Sequence, residues 1–251
     1  MRIGLLITCL VDGMFPDVAA DTVTVLRRLG HEVDVPAAQT CCGQMHINTG
    51  YPRSAVPLIQ RYVETFGGYE AVVAPSGSCI GSVRHQHADV ARQAGLEGLA
   101  QVAEDVSRRS YELSEFLVDV LGVSDVGATY PHRVTYHPTC HSLRLLRVGD
   151  KPLRLLRAVR DLDLVELPDA EQCCGFGGTF AVKNSDVSAA MLADKLDRVA
   201  GTGADRLCAS DSSCLMHLGG GLSRGLSTGH LHAEIGPVHL ATVLASTKES
   251  S

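Results

Sequence analysis

The cysteines of this 251-residue chain occur in a pattern that is repeated once. In the first set, 31 residues separate the first cysteine from a Cys-Cys-Gly triplet, and 36 residues separate the second triplet cysteine from the last one. The corresponding gaps in the second set are 32 and 39 residues. The two sets are Cys9, Cys41, Cys42, Cys79 and Cys140, Cys173, Cys174, Cys214. The repeat indicates a pseudo-twofold internal duplication, with halves at residues 1–125 and 126–251.

Each half alternates predicted strands and helices. Short apolar or β-branched runs lead into the first and last cysteine of each set, as in buried strands. Helical patterns follow the first cysteines at 16–30 and 152–162. The order strand–helix–strand–loop–helix–strand–helix predicts an α/β fold of two duplicated Rossmann-like halves, each a short parallel sheet flanked by helices. The cysteines follow the C-terminal ends of strands, where such sheets bind ligands, so the four thiols of each half should converge.

Four converging thiols suit a metal centre. A cysteine-rich chain with no evident targeting segment favours metal ligands or redox thiols over structural disulfides. Zinc sites commonly use close Cys-x-x-Cys pairs, which neither set contains, and the ferredoxin run of closely spaced cysteines is also missing. The spacing therefore favours an iron–sulfur cluster of the 4Fe–4S type, one or two per chain. Bound zinc and redox-active thiols stay open as alternatives.

Glycines follow both cysteine pairs. Gly43 and Gly175 come directly after the pairs, and Gly177 and Gly178 continue the second loop. Glycine lets the backbone approach a cluster closely, and successive amides can donate to cluster sulfurs. These four glycines are therefore predicted to contact the cofactor. A tight loop without any cofactor role is an equally good interpretation of Gly177 and Gly178.

Histidines near the cysteines are the next candidates. His137 and His141 flank Cys140, where they could donate hydrogen bonds to a cluster, bind a substrate carboxylate or act as a general acid or base. They are the candidate catalytic residues, with a purely structural role as the alternative. His85 and His87 are predicted to lie on the surface of a single helix.

Two further residues have simpler interpretations. Cys208 has no counterpart in the first set and is predicted to be a small buried apolar residue. Asp211 lies three residues before Cys214 and is predicted to cap the helix that carries this cysteine.

Composition excludes several classes of function. The chain is 45% hydrophobic and 20% charged with a net charge of −6, as expected for a globular protein. It lacks blocks of like charge, and its 4% aromatic content gives few stacking surfaces for bases, so nucleic acid is not an expected partner. No apolar run reaches the length of a membrane span. The short apolar run before Cys9 predicts a buried first strand, and the protein is expected to be cytoplasmic.

Several segments resemble a known family. They are "QTCCGQ", "GYPRSA", "APSGSC", "YELSEFLVDVLG", "VTYHPTCHSLR", "LVELPDAEQCCGFGGTFAVK", "SAAMLADK" and "CLMHLGG". They are similar to the cysteine-rich CCG domain of heterodisulfide reductase and of the iron–sulfur subunits of glycolate oxidase and anaerobic glycerol-3-phosphate dehydrogenase. Over nearly the whole chain they most resemble the lactate utilization protein A family.

That resemblance implies an oxidoreductase component. It implies a protein whose cysteine-ligated centres relay electrons while L-lactate, a small 2-hydroxy acid, is oxidised to pyruvate. Two partner proteins would act with it, one of them carrying ferredoxin-type clusters. The alternative is a scaffold or regulatory protein, without catalytic activity, whose thiols bind zinc or undergo redox chemistry.

The chain departs from heterodisulfide reductase at one position in each half. That relative ends each motif with a further cysteine, which gives five cysteines around its cluster. Here the corresponding residues are Ser82 and His217. A serine hydroxyl is a poor iron ligand, whereas a histidine can ligate iron. The five-thiol cluster is therefore not expected, and the question becomes whether four thiols in each half hold a cluster.

Overall fold

The computed structural model describes residues 1–248. Contacts between α-carbons divide the chain into two compact units, residues 1–122 and the part that begins at Val123. Each unit contains one sheet of four parallel strands. The predicted α/β fold of two duplicated halves is therefore confirmed. Along the described residues, no helix has the combination of length and apolar character needed to cross a membrane.

The first unit has the strand order β2-β1-β3-β4. Its strands are β1 (Arg2–Leu5), β2 (Glu32–Asp34), β3 (Ala71–Ala74) and β4 (Ser110–Glu112). Its helices are α1 (Cys9–Met14), α2 (Pro16–Arg28), α3 (Gln44–Asn48), α4 (Pro52–Phe66), α5 (Gly77–His85), α6 (His87–Gln93), α7 (Glu97–Ser107) and α8 (Leu113–Glu115), the last continued by a π-helical turn (Phe116–Val120). The register pairs Ile3 with Val33 on one side and with Ala71 on the other.

The second unit repeats this topology as β6-β5-β7-β8. Its strands are β5 (Arg133–His137), β6 (Asp163–Val165), β7 (Arg206–Ala209) and β8 (Gly236–His239). A π-helical turn (His141–Leu145) precedes the helices α9 (Lys151–Arg157), α10 (Thr179–Lys183), α11 (Ser185–Gly201), α12 (Ser212–Ser227) and α13 (Leu240–Ala245). Strand β5 lies between β6 and β7 in the sheet. The loop that follows β5 and contains Cys140 therefore begins at the middle of the sheet edge.

Local sequence explains the helices that lie against the sheets. Helix α4 begins with Pro52, whose missing N–H costs nothing in the first turn. Its buried residues recur at helical spacing, which lays one face on the core. They are Ala55, Ile59, Tyr62, Val63 and Phe66. In the second unit, the Asp211 side chain accepts a hydrogen bond from the amide of Ser213 and caps α12, as predicted.

The predicted order of elements missed one strand in each half. The predicted order contains three strands in each half. A fourth parallel strand, β4 or β8, is present in each sheet and leads directly into helix α8 or α13. Strand β4 has only three residues, and β8 contains Pro237, which an edge strand tolerates because one side of it needs no amide donor.

Candidate metal centres

The four thiols of the first half lie together beyond the C-terminal end of its sheet. Cys9 begins α1, Cys41 and Cys42 lie in the loop between β2 and α3, and Cys79 lies in the first turn of α5. The Sγ atoms of Cys9 and Cys41 are 4.0 Å apart. Cys41 also contacts the thiol of Cys42, and Cys42 contacts that of Cys79. Three parallel strands thus bring together thiols that are distant in sequence.

The second half repeats the arrangement. Cys140 follows β5 by three residues, and its Sγ lies 3.4 Å from the Sγ of Cys173. Cys173 contacts Cys174, which in turn contacts Cys214 in the first turn of α12. Both halves therefore hold a continuous run of four thiols, whereas Cys208 is fully buried within β7, as predicted.

Because the thiols lie so close together, their pKa values differ widely. Hydrogen bonds from the neighbouring thiols of Cys42 and Cys9 lower the pKa of Cys41 to about 2. The same bonds and burial raise the pKa of Cys9 and of Cys42. In the second half, bonds from Cys140 and Cys174 likewise lower the pKa of Cys173 to about 2. A metal ion would replace the protons that each group of thiols now shares.

Backbone amides contact the sulfurs in both loops. The amide of Gly43 donates to the Sγ of Cys41 at 3.4 Å, and the amide of Gly175 donates to the Sγ of Cys173 at the same distance of 3.4 Å. Both glycines have a left-handed backbone, with φ of +85° and +91°. A residue with a side chain would be strained there. The glycines therefore let the loops turn their amides toward sulfur.

The two other predicted glycines shape the turn after the second cysteine pair. Gly177 and Gly178 also have positive φ angles, and Gly178 is the residue before α10. A Cβ atom on Gly177 would lie 2.9 Å from the Cβ of Phe180. Their contact with a cofactor stays a prediction.

His137 and His141 occupy different surroundings. His137 ends β5 and is fully buried, and neither ring nitrogen has a hydrogen-bond partner among residues 1–248. One of its nitrogens and the Sγ atoms of Cys174 and Cys214 all lie within 4.8 Å of one another. Burial lowers the pKa of His137 to about 4, which makes the imidazole neutral at pH 7. His141 is only half-buried and starts the π-helical turn.

Ser82 and His217 hold the positions where heterodisulfide reductase has cysteines. Ser82 is buried in α5, and its hydroxyl has no hydrogen-bond partner within the described part of the chain. His217 is half-buried in α12, and its ring lies 5.8 Å from that of Phe176, centroid to centroid. Burial lowers the pKa of His217 as well.

The prediction for His87 was wrong. His85 ends α5 and is exposed, but His87 begins a separate helix, α6, and is buried. Its Nε2 lies 2.8 Å from the carbonyl oxygen of Cys42. Burial lowers the pKa of His87 to about 4, so the neutral ring donates this hydrogen bond. It fixes the backbone of a candidate ligand, and no sequence signal marked the break between the two helices.

Lys195 was also not identified from the sequence. It lies in α11 and is fully buried, an unusual location for a lysine. Its ammonium group donates to the carbonyl oxygens of Asp169 and Ala170 at 3.1 and 3.0 Å. These bonds hold the loop that leads to Cys173. A lysine within a helical pattern looks like a surface residue, and only the fold shows that it turns inward.

The donor sets fit a metal centre in each half. Four thiols, each in contact with the next, are the number that iron–sulfur clusters and structural zinc require. Amide donors to sulfur, found at both Cys-Cys-Gly loops, are typical of the surroundings of clusters. These features define a duplicated α/β protein with one cysteine-rich centre in each half.

Comparisons with known proteins identify the family. The cysteine-rich domain (CCG) family matches residues 3–84 and 134–219, so each half carries one copy. Lactate utilization protein A of Oceanobacillus iheyensis is 43% identical over 249 residues, which cover 99% of this chain and 98% of the relative. The protein of that name from Bacillus subtilis is 42% identical over 249 residues, covering 98% of this chain and all of the relative. The chain therefore belongs to the lactate utilization protein A family.

Proposed function

We propose that this protein is an iron–sulfur component of a multi-protein system that oxidises L-lactate to pyruvate. The name of its relatives supports the role in lactate utilization. The observation that carries the iron–sulfur assignment is the meeting of four thiols in each half, beside an amide that donates to sulfur. Such centres accept and release single electrons when a cluster is bound.

The chain's own residues would hold and insulate the centres. The thiolates of Cys9, Cys41, Cys42 and Cys79 would ligate one cluster, and the matching set in the second half would ligate the other. Cys42 and Cys174 are buried, whereas the cysteines that directly precede them in the sequence, Cys41 and Cys173, are partly exposed. Each centre would thus be shielded on its protein side and reachable from solvent on the other, as an electron relay requires.

Oxidation of lactate to pyruvate releases two electrons and two protons. We assign the chemistry at the lactate carbon and the onward transfer of electrons to partner proteins, one of them with ferredoxin-type clusters. This chain would accept single electrons in between. His137 and His141 are the candidate proton-handling groups of the chain, and the neutral state of the buried His137 suits a hydrogen-bonding or ligating role.

A zinc-binding scaffold is the competing function. One observation favours it: two thiols and one imidazole in the second half lie within 4.8 Å of one another, which also suits a single zinc ion. Zinc would leave the protein colourless and stable in air, whereas an iron–sulfur protein should be brown and contain sulfide.

The test is metal and sulfide analysis of protein purified without oxygen, together with its visible spectrum. Wild-type protein should contain iron and acid-labile sulfide. Cys174→Ser should remove the share of iron bound by the second half, and Cys42→Ser should remove the share bound by the first. Cys208→Ser is the matched control, since Cys208 lies inside β7 and away from both centres. Zinc without iron, or iron that survives both ligand substitutions, would contradict the proposal.

A further inference from the structure

We infer that His137 is a ligand of the metal centre in the second half, so that the two centres of the chain differ in their ligands. The inference rests on the proposed function only in requiring that this half binds a metal. It follows from the burial of His137, from the lack of partners for its ring nitrogens among the described residues and from its distance to two thiols.

The burial of His137 leaves polar atoms unpaired. The side chain is 0% exposed, and both Nδ1 and Nε2 are without hydrogen-bond partners among the described residues. A neutral imidazole has one N–H donor and one acceptor nitrogen. Leaving either one buried and unpaired is unfavourable, because the group loses its hydrogen bonds to water. A site that keeps such a residue in its core therefore points to a partner that binds it.

The geometry indicates a metal as that partner. A ring nitrogen of His137 and the sulfurs of Cys174 and Cys214 lie within 4.8 Å of one another. With metal–ligand bonds of about 2.0–2.3 Å, two donors on one ion lie at most about 4.6 Å apart. Small side-chain movements would thus bring His137 within bonding distance of a metal atom at this centre.

The first half provides an internal comparison. Leu6 precedes Cys9 by three residues, just as His137 precedes Cys140. Leu6 is buried in its half, as His137 is in the other. Leu6 directly follows β1 and His137 is the last residue of β5, so the corresponding position beside a central strand accommodates an apolar side chain in the first half. A fold that tolerates leucine here does not need histidine for packing, which leaves a function at the centre as the reason for it.

His137 is a better ligand candidate than His217, which replaces the last motif cysteine. His217 is half-buried in α12 and lies against the ring of Phe176. Among residues 1–248, the group of close metal-ligating atoms at this centre contains His137 and not His217. The imidazole that joins the thiols comes from the strand end instead of the helix.

Ligation by His137 would change the electronic character of the second centre. If the imidazole binds iron in place of one of the four thiolates of the second set, the cluster is less negative, and clusters with histidine ligands have higher reduction potentials. The second centre would then be reduced before the first. Electrons that enter the chain would collect in the second half.

The test combines isotope labelling with matched variants. Protein containing ¹⁵N-histidine is purified without oxygen, and electron nuclear double resonance is recorded on the paramagnetic iron centre. Wild type and the control His141→Leu should both show a nitrogen bound directly to iron. His137→Leu, which introduces the residue found in the first half, should lose this signal. His137→Cys should keep the iron, lose the nitrogen signal and lower the potential of the second centre.

Two results would overturn the inference. One is a wild-type spectrum without bound histidine nitrogen, and the other is a signal that persists in both His137 variants. Iron and sulfide contents of the same samples report on the proposed function separately. If the wild type carries zinc instead of iron, the iron–sulfur proposal fails, and X-ray absorption at the zinc edge decides whether His137→Leu loses a nitrogen ligand. Protein without any metal contradicts both proposals.

Discussion

The two halves share a backbone design and differ in the side chains around it. Both sheets have the same parallel order, both hold four thiols in a run, and both direct a glycine amide to sulfur at 3.4 Å. The residues next to the thiols are not the same. Leu6 corresponds to His137, and Ser82 corresponds to His217. Both halves have the parts that would hold a metal, while at these two positions only the second half has nitrogen donors.

Helices α4 and α11 show the same contrast. Tyr62 and Lys195 occupy matching positions, each four residues after a helix residue that lies against the glycine of the Cys-Cys-Gly loop. The hydroxyl of Tyr62 is 2.8 Å from the Oγ of Ser110, within its own core. Lys195 instead donates to the loop before Cys173. The first half supports its centre by packing and the second by a buried charge, so the second centre lies in a more polar environment.

The largest difference between the halves should appear when the glycine after each cysteine pair, Gly43 or Gly175, is replaced by alanine. A Cβ atom on Gly175 would lie 2.6 Å from the carbonyl oxygen of Ser188, whereas a Cβ on Gly43 would lie 3.2 Å from the side chain of Ala55. Left-handed backbone strain costs about 1–2 kcal/mol in either case. The backbone contact adds a steric cost, so Gly175→Ala should lose about 3–4 kcal/mol in free energy of unfolding and Gly43→Ala about 1–2 kcal/mol.

Urea unfolding under anaerobic conditions measures both losses. Gly13→Ala is the control, because among residues 1–248 a Cβ at Gly13 would have no heavy atom within 4 Å apart from its chain neighbours and the backbone of its own helix. Equal losses at Gly175 and Gly43 would show that the second loop relaxes around the added methyl group, and that the two loops are equally tolerant.

The next largest effect concerns the ends of the fourth strands. Glu112 ends β4, and its Oε2 accepts from the amide of Ser114 at 2.9 Å. His239 ends β8, and its Nδ1 accepts from the amide of Ala241 at 3.0 Å. Both residues cap the helix that follows, but they do so with different chemistry. Burial raises the pKa of Glu112 to about 7, from 4.5.

That shift makes the stability of the protein depend on pH. Because the folded protein binds the Glu112 proton more tightly than the unfolded chain, the full stability is present below pH 4.5 and is lost as the pH rises to about 7. The loss amounts to about 3 kcal/mol. Glu112→Gln keeps an acceptor for the cap and should remove this part of the pH dependence.

Unfolding free energies at pH 5 and pH 8 check the prediction. The exposed Glu97→Gln serves as the control and should follow the wild type at both values. A Glu112→Gln variant whose stability declines as steeply as that of the wild type would mean that this carboxyl group is ionised in the folded protein at pH 5.

The sequence predicted the fold class and the meeting of the thiols for a physical reason. Parallel strands end at one edge of a sheet, so cysteines that follow them must come close together. The fourth strands were missed because β4 and β8 each pass directly into a helix. No turn residue separates strand from helix there, so the sequence shows one continuous segment instead of two elements.

The side chains around the centres were only partly predictable. His137 was a candidate because it lies near Cys140 in the sequence. That its ring nitrogens have no hydrogen-bond partner among residues 1–248 could be seen only in the folded structure. His87 was assigned to a surface because no glycine or proline marks the boundary between α5 and α6. Lys195 looked like an ordinary helix residue. Sequence spacing locates a metal centre better than it identifies the second layer of residues that supports it.

The smallest effect is expected where heterodisulfide reductase has its last cysteine. The hydroxyl of Ser82 is buried and has no hydrogen-bond partner in the described chain, so Ser82→Ala removes an unpaired polar atom. Stability should be unchanged or rise by up to about 1 kcal/mol, since an unsatisfied buried hydroxyl is unfavourable. Iron content should equal that of the wild type, because a serine hydroxyl is a poor ligand for iron. Loss of the first half's iron in Ser82→Ala would instead make Ser82 a ligand. Each centre would then have one ligand other than cysteine. The two halves would differ in the identity of that ligand, which would be serine in the first half and histidine in the second.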